Sequence, residues 1–109
     1  MVFHMKLWID DVRPAPPGDY LWFKDINVAL RFIRANAAEI DLIDFDHDAG
    51  DFRRNGHEDY IVILREMQRL SIVHNMSFNH IRFRLHSANP VGVQNMRHIL
   101  QDNGWKEIY

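Results

Sequence analysis

Three apolar segments of strand length each run straight into a polar cluster, and this pattern constrains the fold more than any other feature of the chain. Lys6-Leu7-Trp8-Ile9 ends at Asp10-Asp11, Leu42-Ile43-Asp44-Phe45 at Asp46-His47-Asp48, and Ile81-Arg82-Phe83-Arg84-Leu85 at His86-Ser87. Between and after them lie stretches with helical spacing. Asp25 is a good N-cap for a helix carrying Ile26, Ala29, Leu30, Ile33 and Ala37. Tyr60, Ile63, Leu64, Met67 and Leu70 mark one face of a second helix. Asn89-Pro90 opens a third in the favoured way, a side-chain cap followed by proline, and Asn103-Gly104 closes it after Val93, Met96 and Leu100. Adding a short aromatic strand at 20–23 and a last strand at 105–109 gives the order β-β-α-β-α-β-α-β. That order predicts a parallel sheet with crossover helices. In such a sheet the carboxyl ends of the strands share one edge, where ligands bind, so the three clusters are expected to converge.

The first connection departs from this scheme. Arg13 to Gly18 holds three prolines and a glycine, so it reads as an extended connector rather than a helix. For Asp10 and Asp46 to share an edge, Asp11 to Asp19 must carry the chain back across the sheet without a helix. Nine extended residues reach about 30 Å, more than the ~20 Å length of a short strand. With no helix here and none after the last strand, one face of the sheet should be thinly covered. Asp44, Arg82 and Arg84 stand at alternate positions where a doubly covered strand would be apolar. That face is expected to be solvated or an interface, and Trp8 beside Lys6 favours an interface with a second copy or a partner protein.

Composition narrows the function classes. A chain of 109 residues fits one domain, 1–109, with a real core. The net charge of −2 advertises neither nucleic acid nor membrane, so a polyanion would need a local basic patch. The absence of cysteine excludes disulfides, thiolate metal sites and thiol catalysis, and fits a reducing cytosol. No apolar run approaches the roughly 18 residues of a membrane span, and no charged leader with a hydrophobic core precedes the first strand. The expectation is a cytoplasmic protein. Walker, dinucleotide and nucleophile-elbow motifs are absent from the sequence.

Adjacent aspartates at a strand end repel each other, and a hard divalent cation relieves that repulsion. Asp10, Asp11, Asp46 and Asp48 are therefore the expected metal ligands, with Mg²⁺ first and Mn²⁺ possible once His47 or His86 joins them. Either histidine is a candidate general acid or base, and Asp46, His47, His86 and Ser87 form the candidate catalytic set. His4, His57, His74, His80 and His98 read as structural. For a phosphate, the candidates are Arg13, Ser87, Asn89 and Gly92, the last because free N–H groups at Val91 and Gly92 and a missing side chain let an anion approach. Arg53 and Arg54 are further sources of charge.

These segments resemble the receiver domain of two-component response regulators: Asp10-Asp11 looks like its paired metal-binding acids, Asp46 like its phosphoacceptor, and Ser87 like its small hydroxyl residue. The resemblance implies a flavodoxin-like five-stranded sheet. Here the first helix is replaced by prolines, the last is absent, and Lys106 starts the fifth strand rather than ending it, which counts against phosphorelay. The chain is more similar to the cyclic-phosphate processing receiver domain family. The similarity rests on 7–14, Phe45-Asp46-His47-Asp48-Ala49-Gly50, 86–92 and Asn95-Met96. It implies processing or sensing of 2′,3′-cyclic phosphate ends of RNA or nucleotides, beside RNA-repair enzymes. Three functions stay open: a metal-dependent phosphodiesterase, a non-catalytic module for phosphate ends or a partner, and a phosphoacceptor.

Overall fold

The computed structural model describes residues 4–48 and 58–109. Its elements run β1 (Met5–Ile9), β2 (Tyr20–Phe23), α1 (Ile26–Asn36) with a 3₁₀ turn at Ala37–Glu39, then β3 (Ile40–Phe45) and α2 (Ile61–Val73). They finish with β4 (Arg82–Leu85), α3 (Pro90–Asn103) and β5 (Lys106–Glu107). All pairings are parallel and the strand order is β2-β1-β3-β4-β5. The expected fold class holds: a receiver-like parallel sheet of five strands with three helices. β5 is shorter than expected, with two residues in the ladder, although the Ile108 N–H still reaches Phe83 O at 2.7 Å. No helix among the described residues is long and apolar enough to cross a membrane.

Local chemistry sets the helix ends. Asp25 Oδ1 accepts the Val28 N–H, and Asn89 Oδ1 accepts the Gly92 N–H ahead of Pro90. Gly104, at φ 67°, ends α3 in the left-handed region that an L side chain avoids.

Topology then decides which face is covered. The crossovers β2→β3, β3→β4 and β4→β5 all step the same way across the sheet, so right-handedness puts every helix on one face. That face carries Leu7, Ile9, Ile43, Phe45 and Phe83, packed against Ile33, Leu64, Met67, Met96 and Leu100, all fully buried. Burying each such side chain contributes about 1.5–3 kcal/mol.

The other face has no helix. Register places Tyr20, Lys6, Leu42, Arg82 and Lys106 across it in one row and Trp22, Trp8, Asp44 and Arg84 in the next. Its outer positions are open, with Trp22 and Arg84 exposed. Its centre is not, and here the sequence reading is corrected. Asp44 is completely buried and Trp8 nearly so. The Trp8 indole donates to Arg13 O at 2.8 Å, which ties the proline connector over this part of the sheet. Trp8 serves the inside of the molecule, so it no longer argues for an interface.

Candidate functional site

Asp10 follows β1, at the edge where the strands end. Its carboxylate is fully buried yet bonded on both oxygens. Oδ1 accepts the N–H groups of Val12 (2.8 Å) and Arg13 (2.9 Å), and Oδ2 meets His86 Nε2 at 2.9 Å. Its main chain is used as well: the N–H donates to Phe23 O, and the carbonyl accepts the Trp22 indole N–H. Asp10 thus joins β1, β2, the connector and the end of β4.

His86 follows β4 and lies between two carboxylates. Its Nδ1 is 2.6 Å from Asp44 Oδ1 and its Nε2 is 2.9 Å from Asp10 Oδ2. A carboxylate facing each ring nitrogen favours a hydrogen on both, the protonated form of the ring. Burial works against that charge, but the bonds to Asp44 and Asp10 and their charges outweigh it, and the pKa lies above the ordinary histidine value. Trp8 stacks on the ring, 3.9 Å between centroids and 3° from parallel. Asp44 Oδ2 has no hydrogen-bond partner, with the Arg84 guanidinium 4.0 Å away.

Asp44 is a site residue that sequence reasoning missed. The available signal was a carboxylate inside an apolar strand, which is costly to bury without a cationic partner.

Asp46 follows β3. Its N–H donates to Ile9 O and its Oδ1 accepts the His47 N–H at 2.9 Å. Ligand atoms from Asp10, Asp46 and His86 all lie within 4.8 Å of one another. A second group of the same kind joins His47 and Asp48 to Asp59, which the sequence reading did not name. Among the described residues, Asp11 falls in neither group and Asp48 only in the second. Asp48 Oδ1 accepts from His47 Nδ1 at 2.7 Å and from Asn89 Nδ2 at 3.2 Å. The His47 bond, opposed by partial burial and helped by the Asn89 amide, holds its pKa below the ordinary carboxylate value.

The expected anion cradle on α3 has a different use. The Gly92 N–H is taken by Asn89 Oδ1, and the space left by its missing side chain is filled by the His47 ring. A Cβ at position 92 would overlap that imidazole. Ser87 Oγ accepts the Asn89 N–H at 3.1 Å, and Arg13 Nη1 donates to His86 O at 3.2 Å. Both therefore brace the loop after β4. Arg53, Arg54 and His57 lie outside the described residues. Lys106 pairs in register with Arg82 at the start of β4, at the opposite end of the strands from this site.

The family model of the cyclic-phosphate processing receiver domain matches residues 5–102. The chain belongs to that family. The match spans every strand-end cluster described above and ends one residue before α3 does. No curated protein and no solved structure gave a significant match to this receiver domain.

The donors suit a divalent cation. Two carboxylates and one imidazole form a mixed oxygen and nitrogen set that could hold such an ion. One condition attaches: a cation bound to His86 Nε2 and a proton on that nitrogen exclude each other.

Proposed function

We propose that this receiver domain holds a divalent cation, Mg²⁺ or Mn²⁺, at Asp10, Asp46 and His86 and processes the 2′,3′-cyclic phosphate end of a ribonucleotide or RNA. The observation that carries the proposal is the convergence of those three side chains within 4.8 Å, in a chain of a cyclic-phosphate processing family. When bound, such a cation polarises a phosphoryl oxygen and orients water. The remaining steps fall to the chain's own groups. Asp10 is oriented for the task, because two backbone N–H groups fix one of its oxygens. His47 is the better proton carrier of the two histidines. Its Nδ1–H donates to Asp48, which fixes the tautomer and leaves Nε2 as the basic nitrogen. With its Nε2 given to the cation, His86 keeps Nδ1 on Asp44, and that bond orients the ring as a ligand rather than freeing it to exchange protons. Ring opening needs a proton removed from water and one delivered to the leaving oxygen, and His47 supplies both in turn. Arg13 and Ser87, on the two loops flanking Asp10 and His86, are the groups that meet the phosphate.

One observation favours a second reading. His86 already bridges the two buried carboxylates, with the Arg84 guanidinium 4.0 Å from Asp44, as a binding module without metal or turnover would require. Incubation with 2′,3′-cyclic nucleotides separates the two readings. We expect hydrolysis that requires Mg²⁺ or Mn²⁺, falls to the metal-free level in Asp46→Asn, and drops about 10²–10⁴-fold in His47→Gln. Full activity in excess chelator refutes the metal reading. Saturable binding without turnover establishes the module.

A further inference from the structure

The seam between α1 and α2, on the outside of the helical layer, is an open groove of about 500 Å³ lined by Arg31, Arg34, Arg65 and Arg69 with Asn27, Leu30, Val62 and Glu66. Four guanidiniums face one carboxylate, on a chain whose net charge is −2. Glu66 is engaged by Arg69 through both its oxygens. Among the described residues Arg31, Arg34 and Arg65 have no hydrogen bond or ion pair, and all three are exposed. Glu66 also attracts Arg34 at longer range, but one carboxylate cannot balance four guanidiniums, and an anion in the groove relieves the repulsion that remains.

The residue types and the position indicate which anion. Every cation in the groove is arginine, whose planar fork matches phosphate oxygens two at a time. Leu30 and Val62 give it an apolar floor, suited to sugar and base faces. Asn27 and Val62 sit in the first turns of their helices, and both helices begin at the sheet edge that carries Asp10 and Asp46. The upper end of the groove and the strand-end site therefore lie at the same end of the molecule, on opposite sides of the helical layer. An extended strand passing over the helix starts would reach both, with Arg34 and Arg69 about two turns further along.

We infer that this groove binds the phosphodiester backbone of a single RNA strand whose cyclic phosphate end lies at the strand-end site, so that the substrate is an RNA end rather than a free cyclic mononucleotide. This rests on the reading of that site given above. The Arg31→Ala/Arg34→Ala/Arg65→Ala triple variant tests it in the full chain, its fold checked by circular dichroism. The probes are a fluorescein-labelled 12-mer oligouridylate ending in a 2′,3′-cyclic phosphate, uridine 2′,3′-cyclic phosphate, and polyglutamate as competitor. The expected result is at least tenfold weaker binding of the 12-mer, with the slope of log K against log salt reduced by about two. Turnover of the cyclic mononucleotide stays unchanged, and the Arg→Lys triple variant regains most of the affinity. Equal affinity of wild type and Ala variant for the 12-mer overturns the inference. So does displacement of the 12-mer by polyglutamate at matching charge, which would assign the groove to an acidic peptide. If Asp46→Asn and wild type are alike inactive while 12-mer binding still depends on the arginines, the proposed chemistry fails and the groove stands. Turnover without arginine-dependent binding has the opposite meaning.

Discussion

His86 shows how one residue's protonation is set by the elements around it. Asp44 approaches from β3 and Asp10 from the end of β1, and the two carboxylates together favour the protonated ring. The folded-state pKa is raised above the ordinary value of 6.5, so the contribution to stability is fully present below about pH 6.5 and is lost as pH rises through the folded-state value. In chelator, the melting temperature should fall as pH is raised from 6.5, and His86→Gln should flatten that limb. Thermal unfolding followed by circular dichroism between pH 6 and 9 checks both, and a flat wild-type profile would mean a neutral ring. Gly92 makes a sharper steric case. Its missing side chain admits the His47 imidazole, so Gly92→Ala should cost roughly 1–3 kcal/mol by overpacking in urea denaturation. The same change made in His47→Ala should cost little, because the ring it would strike is gone.

At the scale of elements, the order of strands and helices was legible in the sequence because apolar periodicity and caps agree with each other. Asp25 and Asn89 cap the helices where the pattern places them, and Asp10, Asp46 and His86 meet because parallel strands bring their ends together. The uses of individual side chains were not legible. Asp44 read as a polar residue on a bare face, since its partner His86 lies 42 residues away in sequence. Gly92 read as an opening for an anion, since nothing local shows that His47 packs there. The connector was foreseen as a crossing segment, but its attachments to Trp8 and Asp10 depend on backbone groups of Val12 and Arg13 that sequence does not mark.

Across the whole molecule, charge is distributed unevenly among the described residues of this net acidic chain. Buried acids gather at the strand ends, arginines line the α1/α2 seam, and the helix-free face carries Lys6, Arg82, Arg84 and Lys106 between aromatic rings. No helix follows β1, and the connector in its place is tied at its start by the bonds of Val12 and Arg13 to Asp10, Trp8 and His86. Beyond those bonds, a further contribution lies in the denatured chain. Pro14, Pro16 and Pro17 are exposed, so they add little by packing, but each removes conformations the unfolded chain would otherwise sample. Replacing any one with alanine should lower stability by about 0.4–1 kcal/mol without deleting a buried contact, measurable as an earlier urea midpoint at unchanged slope. One wall of the site is therefore secured by entropy withheld from the unfolded state.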